Sequence, residues 1–520
     1  MPDGNLCTTS SSVPAITSSQ PTLTVISGAG DRYRRTLELC AQMVGWLDGD
    51  EAQTVTHADM ERRLQPLGRA ILQQAMQDNL NLRALRETRV PVEDAAGRVR
   101  SAETGHTRPL TTIFGDVTVD RMAYRKRGCS DLHPADGVLN LPIEQHSHGM
   151  REVAAVESSR GSFEEARDAI LRTTGVAVGK RQVEELAQRA ATDVDAFYSR
   201  TDRPTAGKKD VLVLSFDGKG IVMRHEALRE ATAQAAARAR DGCTGTRVDR
   251  DDRGNRKRIA EVAAVYDVTP VPRTAEDIFV RKGEKKATPG PVATGKWVTA
   301  SVVESAASVV HLGFEEAQKR DPHHRRRWVA LVDGANHQID CIEAEATARN
   351  VEVTILIDCI HVVEYLHKAA RCFYPQGGPE ADEWVVEKAR ATLDGKSSTV
   401  AASITRKATC LRLAGAARDG ADTCATYLLN KTPYLDYPTA LAAGWPIATG
   451  IIEGACRHLI EDRLGVTGAR WGLAGAEAVL KLRAVRTNGD WESYWTFHLE
   501  CERQRVHCSR YRDTIIPVSA

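Results

Sequence analysis

No stretch of the 520-residue chain approaches the roughly 18 consecutive apolar residues that a bilayer-crossing helix needs, and the longest, such as Val211–Phe216, are strand-sized. A helical membrane span is therefore excluded. Net charge is nearly absent as well, because 70 Lys and Arg stand against 69 Asp and Glu and leave +1. That balance excludes a wholly basic, DNA-coating protein and leaves any attraction to nucleic acid to local patches. The 12 cysteines contain no CxxC pair, the closest two being Cys501 and Cys508, so zinc ribbons and dithiol redox motifs are excluded and reduced, mostly buried thiols are expected. Met1 to Gln20 has no basic stretch followed by an apolar one. It is rich in Ser and Thr, which predicts a disordered tail over 1–30 and a cytoplasmic location. Internal repeats are absent.

With 42% apolar and 27% charged residues, the composition is that of an ordinary globular chain of two to four domains. Helical spacing of Leu37, Met43, Leu64, Leu67, Ile71 and Leu80 predicts a helical region within 31–105. From Leu110 to Tyr124 the alternation changes to that of a hairpin turning at Gly115-Asp116, the centre of a small β module over 106–145. Residues 146–205 read as helical again. Ser162–Arg172 and Lys180–Phe197, joined by a Gly-containing turn, have the outline of a helix-turn-helix; a plain helical hairpin fits the same pattern. Ser162 and Glu165 form a capping box, and Lys180 with Arg181 at a helix start, where the dipole disfavours cations, points to a phosphate contact.

Five apolar runs then follow in series: Val211–Phe216, Ile259–Tyr266, Trp297–Val303, Trp328–Val332 and Val353–Ile357. Helical stretches separate the later strands (Ala307–Arg320, Gln338–Asn350) and not the earlier ones, which predicts an antiparallel meander followed by two parallel crossover strands. The fold class is accordingly a multidomain α+β/α-β chain with a mixed five-stranded sheet. Its core spans 206–363 with a basic surface insertion at 224–258, is interrupted by helices over 364–445, resumes at 446–500, and is followed by a C-terminal tail over 501–520.

Asp217 is expected to close the first strand and Asp333 the fourth, each before a glycine. On neighbouring parallel strands their carboxylates would lie about 5 Å apart, one inter-strand spacing. Glu453, in the first turn of a helix striped by Ile452, Ala455, Cys456 and Leu459, supplies a third. Hard carboxylate oxygens suit Mg²⁺ or Mn²⁺, and two such ions activate a water or a 3′-hydroxyl for attack on a phosphodiester. Singly, an Asp-Gly is also a common turn and an early-helix Glu ordinary dipole compensation. Asp358 and His361, three apart after the fifth strand, form a DxxH motif in which Asp358 is either a rival to Asp333 as second metal ligand or a helix cap. Basic clusters at Arg256-Lys257-Arg258, Arg325-Arg326-Arg327 and Arg281-Lys282 with Lys285-Lys286, together with Arg457, are candidate phosphate contacts or solvated faces. Trp471, Trp491, Tyr494 and Trp495 have the helical spacing of core residues.

Several segments resemble the ISKra-type insertion-sequence transposases, a bacterial DDE family: Leu110–Tyr124, Leu139–Pro142, Ser162–Ala166, Asn255–Asp267, Val332–His337 and Ile447–Arg470. The most specific is Gly450-Ile451-Ile452-Glu453-Gly454-Ala455-Cys456-Arg457-His458-Leu459-Ile460, continued by Arg470-Trp471, Gly475–Arg483 and Asn488-Gly489-Asp490-Trp491. The likeness extends from about Leu80 to Tyr511. It implies an RNase H-like core whose acidic triad, at Asp217, Asp333 and Glu453, uses two Mg²⁺ ions to cut transposon ends and join them to target DNA. It also implies terminal inverted repeats as the DNA bound, a homo-oligomeric active complex and a nucleoid-associated location. Asp358 to His361 is similar to the [C/D]xxH motif of Mutator-like and hAT enzymes, whereas the cysteine pairs that some relatives carry near the N-terminus are missing. An inactive, DNA-binding derivative and a nuclease that cuts without joining are the alternatives.

Overall fold

The computed structural model describes residues 31–204, 207–240, 256–279, 288–375, 378–466 and 468–518. These divide into two compact units, one of residues 31–147, 174–176 and 506–518, the other of 148–173 and 177–505. The 1–30 tail and the cluster Arg281-Lys282, Lys285-Lys286 lie outside the described residues. No described helix is long and apolar enough to cross a membrane.

The smaller unit joins helices Arg34–Asp48 and His57–Arg86 to a three-stranded sheet of β1 (Val92–Glu93), β2 (Val99–Thr112) and β3 (Gly115–Arg125). The expected helical region to 105 thus ends at Arg86. β2 carries little apolar alternation and owes its extended form to pairing along β3. The hairpin turns at Ile113-Phe114 and not at Gly115-Asp116: Thr112 pairs with Gly115, the Thr112 hydroxyl accepts from Phe114 N at 3.2 Å, and Gly115 takes φ +131°. Gln77 of the long helix binds both backbone groups of Thr118, donating to O at 2.9 Å and accepting from N at 2.8 Å. Nor are residues 506–518 a tail. Cys508, Tyr511 and Ile516 are buried with Val92, Tyr124 and Leu132, and Tyr511 bridges to Asp94.

The larger unit is built on β4 (Val211–Val222), β5 (Lys257–Val268), β6 (Ala293–Ser301), β7 (Trp328–Val332) and β8 (Val353–Ile357), in the order β6-β5-β4-β7-β8. β4, β5 and β6 pair antiparallel, and β7 and β8 add parallel strands beyond β4, as the meander-then-crossover pattern predicts. Every residue of β7 is buried, which is why a strand covered on both faces reads as an unbroken apolar run. Phe216 of β4 packs on the helix Ala306–Arg320 at Gly313, where a Cβ would stand 2.7 Å from its ring. By the two-residue alternation of a strand, Asp217 faces the other side of the sheet.

Helices Cys359–Phe373, Pro379–Leu393, Ser397–Cys410 and Asp419–Asn430 follow β8. The first runs through position 364, so the helical insertion starts at the end of β8 and not inside the following element. The basic insertion likewise ends before 257, since Lys257 and Arg258 open β5.

A second core lies among helices His148–Arg160, Lys180–Ala190, Val194–Arg200, Leu473–Thr487 and Trp491–Glu502, and buries Ala155, Ala187, Phe197, Leu482, Tyr494 and Trp495. Trp471 is also buried, and Trp491 packs against the second core, so these aromatics are core, as their spacing predicts. Under this core runs a buried polar chain: Arg151 donates to Glu502 at 2.7 Å, His498 Nδ1 lies 2.7 Å from Asp193 Oδ2, and Arg505 clasps Asp193 at 2.9–3.0 Å. Burial pushes the Asp193 carboxyl up, but the bonds from His498 and Arg505 outweigh it and hold the group well below the usual range.

A depressed carboxyl contributes stability that is present above its unfolded value and is lost as pH falls below it. Asp193→Asn is therefore expected to cost about 2 kcal/mol at neutral pH by removing the charged acceptor shared by His498 and Arg505, and the gap from the parent chain should narrow as pH drops below about 4. Thermal melts of both proteins from pH 7 to 3 check this.

Candidate active site

Asp217 does not close β4. The strand runs on to Val222 because β5 pairs with it along the whole length, Val222 opposite Lys257. Gly218, which reads as a turn residue, is a close-packed strand position where a Cβ would meet Ile259 at 2.9 Å. What ends near Asp217 is the parallel ladder with β7, whose last pair is Ser215 with Leu331. The same offset carried two residues further, past the end of the ladder, would bring Asp217 opposite Asp333 at about one inter-strand spacing.

Asp333 follows β7 and turns one carboxylate oxygen back to Ala335 N at 2.8 Å. Asp217 accepts from Gly218 N at 2.7 Å and, through its other oxygen, from the Cys456 thiol at 3.2 Å. The Cys456 contact fixes the third carboxylate. Glu453 stands three residues earlier in the helix Gly450–Ala455, which packs on β4 and β5 and passes into a π-helical turn over Cys456–Glu461. Positions three apart share a helix face, so the side of this helix that reaches Asp217 also carries Glu453, which is exposed. Burial, and next the negative charge of Asp217, push the Cys456 thiol well up, so it stays a hydrogen donor at neutral pH. Lys219, two residues beyond Asp217, pairs with Glu461 at 2.6 Å.

Sequence reading misses a further carboxylate near the strand, on the sheet face opposite that of Asp217. Glu261 of β5 pairs with Gly218, and a Cβ on that glycine would lie 3.3 Å from Glu261 Oε2. Burial first, then Asp217, raise its carboxyl above the usual range against the opposing charges of Arg229 and His337. In the sequence Glu261 is one polar residue at a strand start; only its antiparallel partner brings it here.

Asp358 is no rival to Asp333. The β7–β8 register places it one position past Ile357, next to Asp333 in the row, but its side chain is fully buried and committed. One oxygen caps the helix Cys359–Phe373 through Ile360 N at 2.7 Å; the other accepts from Thr449 N at 2.9 Å and from the Thr449 hydroxyl. Cys359 N adds a bond to Ile447 O at 2.9 Å. Asp358 thus fastens the end of β8 to the residue that opens the Glu453 helix. His361 is half-buried, 3.4 Å from Glu364.

The basic clusters divide. Arg326 is buried and bound to Asp267 at 2.5 Å and to Asp210 O at 3.0 Å, so it is a structural cation and not a phosphate contact. Arg258 is likewise engaged, donating to Val302 O at 2.7 Å, and burial lowers its pKa. Arg256 is half-buried. Arg327 is bound to Glu352 and lies over Trp445. Arg325, Lys257 and Arg457 are exposed. Lys180 and Arg181 are exposed beside Glu164 and Glu185, on a helix whose inner face (Val183, Leu186, Ala187) belongs to a core. The described cysteines are all free.

Among the described residues, no group of three or more His, Cys, Asp and Glu side chains is gathered closely enough to hold a metal. The donor chemistry nonetheless suits a hard divalent cation: carboxylate oxygens on β4, after β7 and on the Glu453 helix, with Asp217 and Asp333 spending one oxygen each on a local amide. No protein-family model matches the chain, and no curated protein matches its sequence.

Removing the Asp358 carboxylate strands the Ile360 amide and the Thr449 amide and hydroxyl. Asp358→Ala should lower stability by about 3 kcal/mol, the sum of a lost cap and of buried donors left unsatisfied, read as a lower urea midpoint. An unchanged midpoint would show that the fastening carries no load.

Proposed function

We propose that this protein is a DDE transposase of an insertion sequence, with β4–β8 as its RNase H-like core and Asp217, Asp333 and Glu453 as the acidic triad. One observation carries the reading. The β4–β7 register, extended two residues past its last pair, would bring two of the carboxylates side by side, and the Glu453 helix touches the first of them through Cys456.

Asp217, Asp333 and Glu453 would hold two Mg²⁺ or Mn²⁺ ions, which when bound supply Lewis-acid activation of a water or 3′-hydroxyl and offset the charge that develops on the phosphate. The chain's own residues do the rest. The sheet keeps Asp217 and Asp333 at fixed spacing, Asp358 and Thr449 fix where the Glu453 helix begins, and Cys456 orients the Asp217 carboxylate. The smaller unit and the helices Phe163–Thr174 and Lys180–Ala190 bind the terminal inverted repeats. Arg325, Lys257, Lys180, Arg181 and Arg457 supply exposed positive charge for DNA phosphates, and the active complex is a dimer or larger assembly.

Incubated with its element's own ends, a target duplex and Mg²⁺, the native chain should join 3′-ends to target, and Asp217→Asn should lose at least ~100-fold of that activity. Mn²⁺ should raise the melting temperature of the native chain and not of Asp217→Asn, since only a bound ion stabilises. Joining that persists in the variant would overturn the assigned site, and binding with no cleavage by the native chain would favour a DNA-binding protein without catalysis.

A further inference from the structure

The last turn of the helix His148–Arg160 is covered by arginines from elsewhere in the same unit. Arg463 Nε donates to Ser158 O at 3.0 Å, Arg483 donates to Ser159 O and to His458 O, and Arg486 donates to Val156 O at 3.3 Å and to the Ser159 hydroxyl. Arg160 itself ends the helix. These guanidiniums satisfy carbonyls at a helix C-terminus, where the macrodipole supplies only about half a negative charge.

The positive charge is under-compensated. Among the described residues, none of Arg463, Arg483 and Arg486 has an ion-pair partner, whereas Arg160 is 2.9 Å from Glu157 and Arg457 is 3.9 Å from Asp462. Arg463 is 4% exposed, lies 4.5 Å over Trp471 and 5.3 Å over Phe163, and its Nη2 is buried without a hydrogen-bond partner. Arg483 Nε is also buried and unpartnered. Burial lowers the Arg463 pKa to about 10, with repulsion from Arg483 adding to it against Glu165. Arg486 is lowered by burial and then by Arg160. The charges that face the cluster are thus Arg160, Arg457, Arg463, Arg483 and Arg486 against Glu157, Glu165 and Asp462. Such an arrangement costs folding energy that a structural role alone does not require, because one neutral donor satisfies a carbonyl equally well.

We propose that Arg160, Arg457, Arg463, Arg483 and Arg486 form an anion-binding surface for the phosphodiester backbone of duplex DNA, continuing from the Glu453 helix. Glu453, Arg457 and Arg463 belong to one nearly continuous helical run, Gly450–Leu464, so a strand passing Glu453 meets the exposed Arg457 within about one turn. Arg160, Arg483 and Arg486 extend the positive surface along the neighbouring helices, and the buried Arg463 raises its potential from beneath. Arg457 apart, this surface is additional to the basic residues legible in the sequence, and it rests on the reading of the carboxylates as a DNA-processing centre.

The test uses the full-length chain and a mixed-sequence 25-base-pair duplex, with binding followed by fluorescence anisotropy over a salt series. Arg160→Gln with Arg457→Gln removes two exposed contacts without touching the helix-capping arginines. It should weaken binding about 10-fold near 0.1 M salt and lower the slope of log K against log salt by about 0.9 per contact. Lysine at the same two positions should restore the slope, and Lys396→Gln, in the helical insertion, should leave both unchanged. Unaltered affinity and slope in the double variant, an equal loss in Lys396→Gln, or a preference for duplex RNA of the same sequence would overturn the proposal. Cluster-dependent binding without cleavage would remove the catalytic reading and leave the surface standing. Normal cleavage with cluster-independent binding would do the reverse.

Discussion

The parallel pairing of β4 with β7 is the constraint on which the rest of the larger unit depends. A slip of one residue would turn Asp333 to the face opposite Asp217, because side chains alternate along a strand. The slip is opposed by close packing on both buried faces of these strands, where a side chain such as Phe216 is fitted to Gly313 and would meet a full-sized neighbour one position along. The same packing that stabilises the sheet therefore sets the geometry of its acidic edge. Gly313 under Phe216 is part of this, since it lets the helix Ala306–Arg320 close on one face and leaves the other to the Glu453 helix.

Much of the sheet was legible from residues alone, and for a physical reason. A strand buried on both sides is an apolar run bounded by polar turns, so β7 falls where the sequence places it, as does the partly buried edge strand β8, and the missing helices between the first three strands mark the antiparallel part. Pairing partners were not legible. Gly218 and Gly220 look like a turn after Asp217, yet β5 holds them in the strand; Thr112 moves a hairpin turn by two residues; and Tyr511 and Ile516 look like a polar tail because their core partners lie some 400 positions earlier.

Charge was read least well, because a side chain's partner is set by the fold. Arg325, Arg326 and Arg327 are neighbours of one sign, but only the middle one is enclosed, held by Asp267 from β5 together with Arg320. Glu261 looks like a solvent-facing strand residue and is half-buried against Gly218. Arg463, Arg483 and Arg486 form no run in the sequence and gather at a helix end. Spacing reports periodic surfaces; it does not report which distant charge will be opposite.

Asp358 and Thr449 lie on either side of the inserted helices, and their bonds make that whole excursion a ring pinched shut at its root. Once the neck is tied, the entropy of the intervening chain is confined to the ring and grows only slowly with its length. The loops that join the inserted helices can be lengthened or exchanged while the residue beyond the neck keeps its seat, because the helices themselves are packed into the core of the sheet.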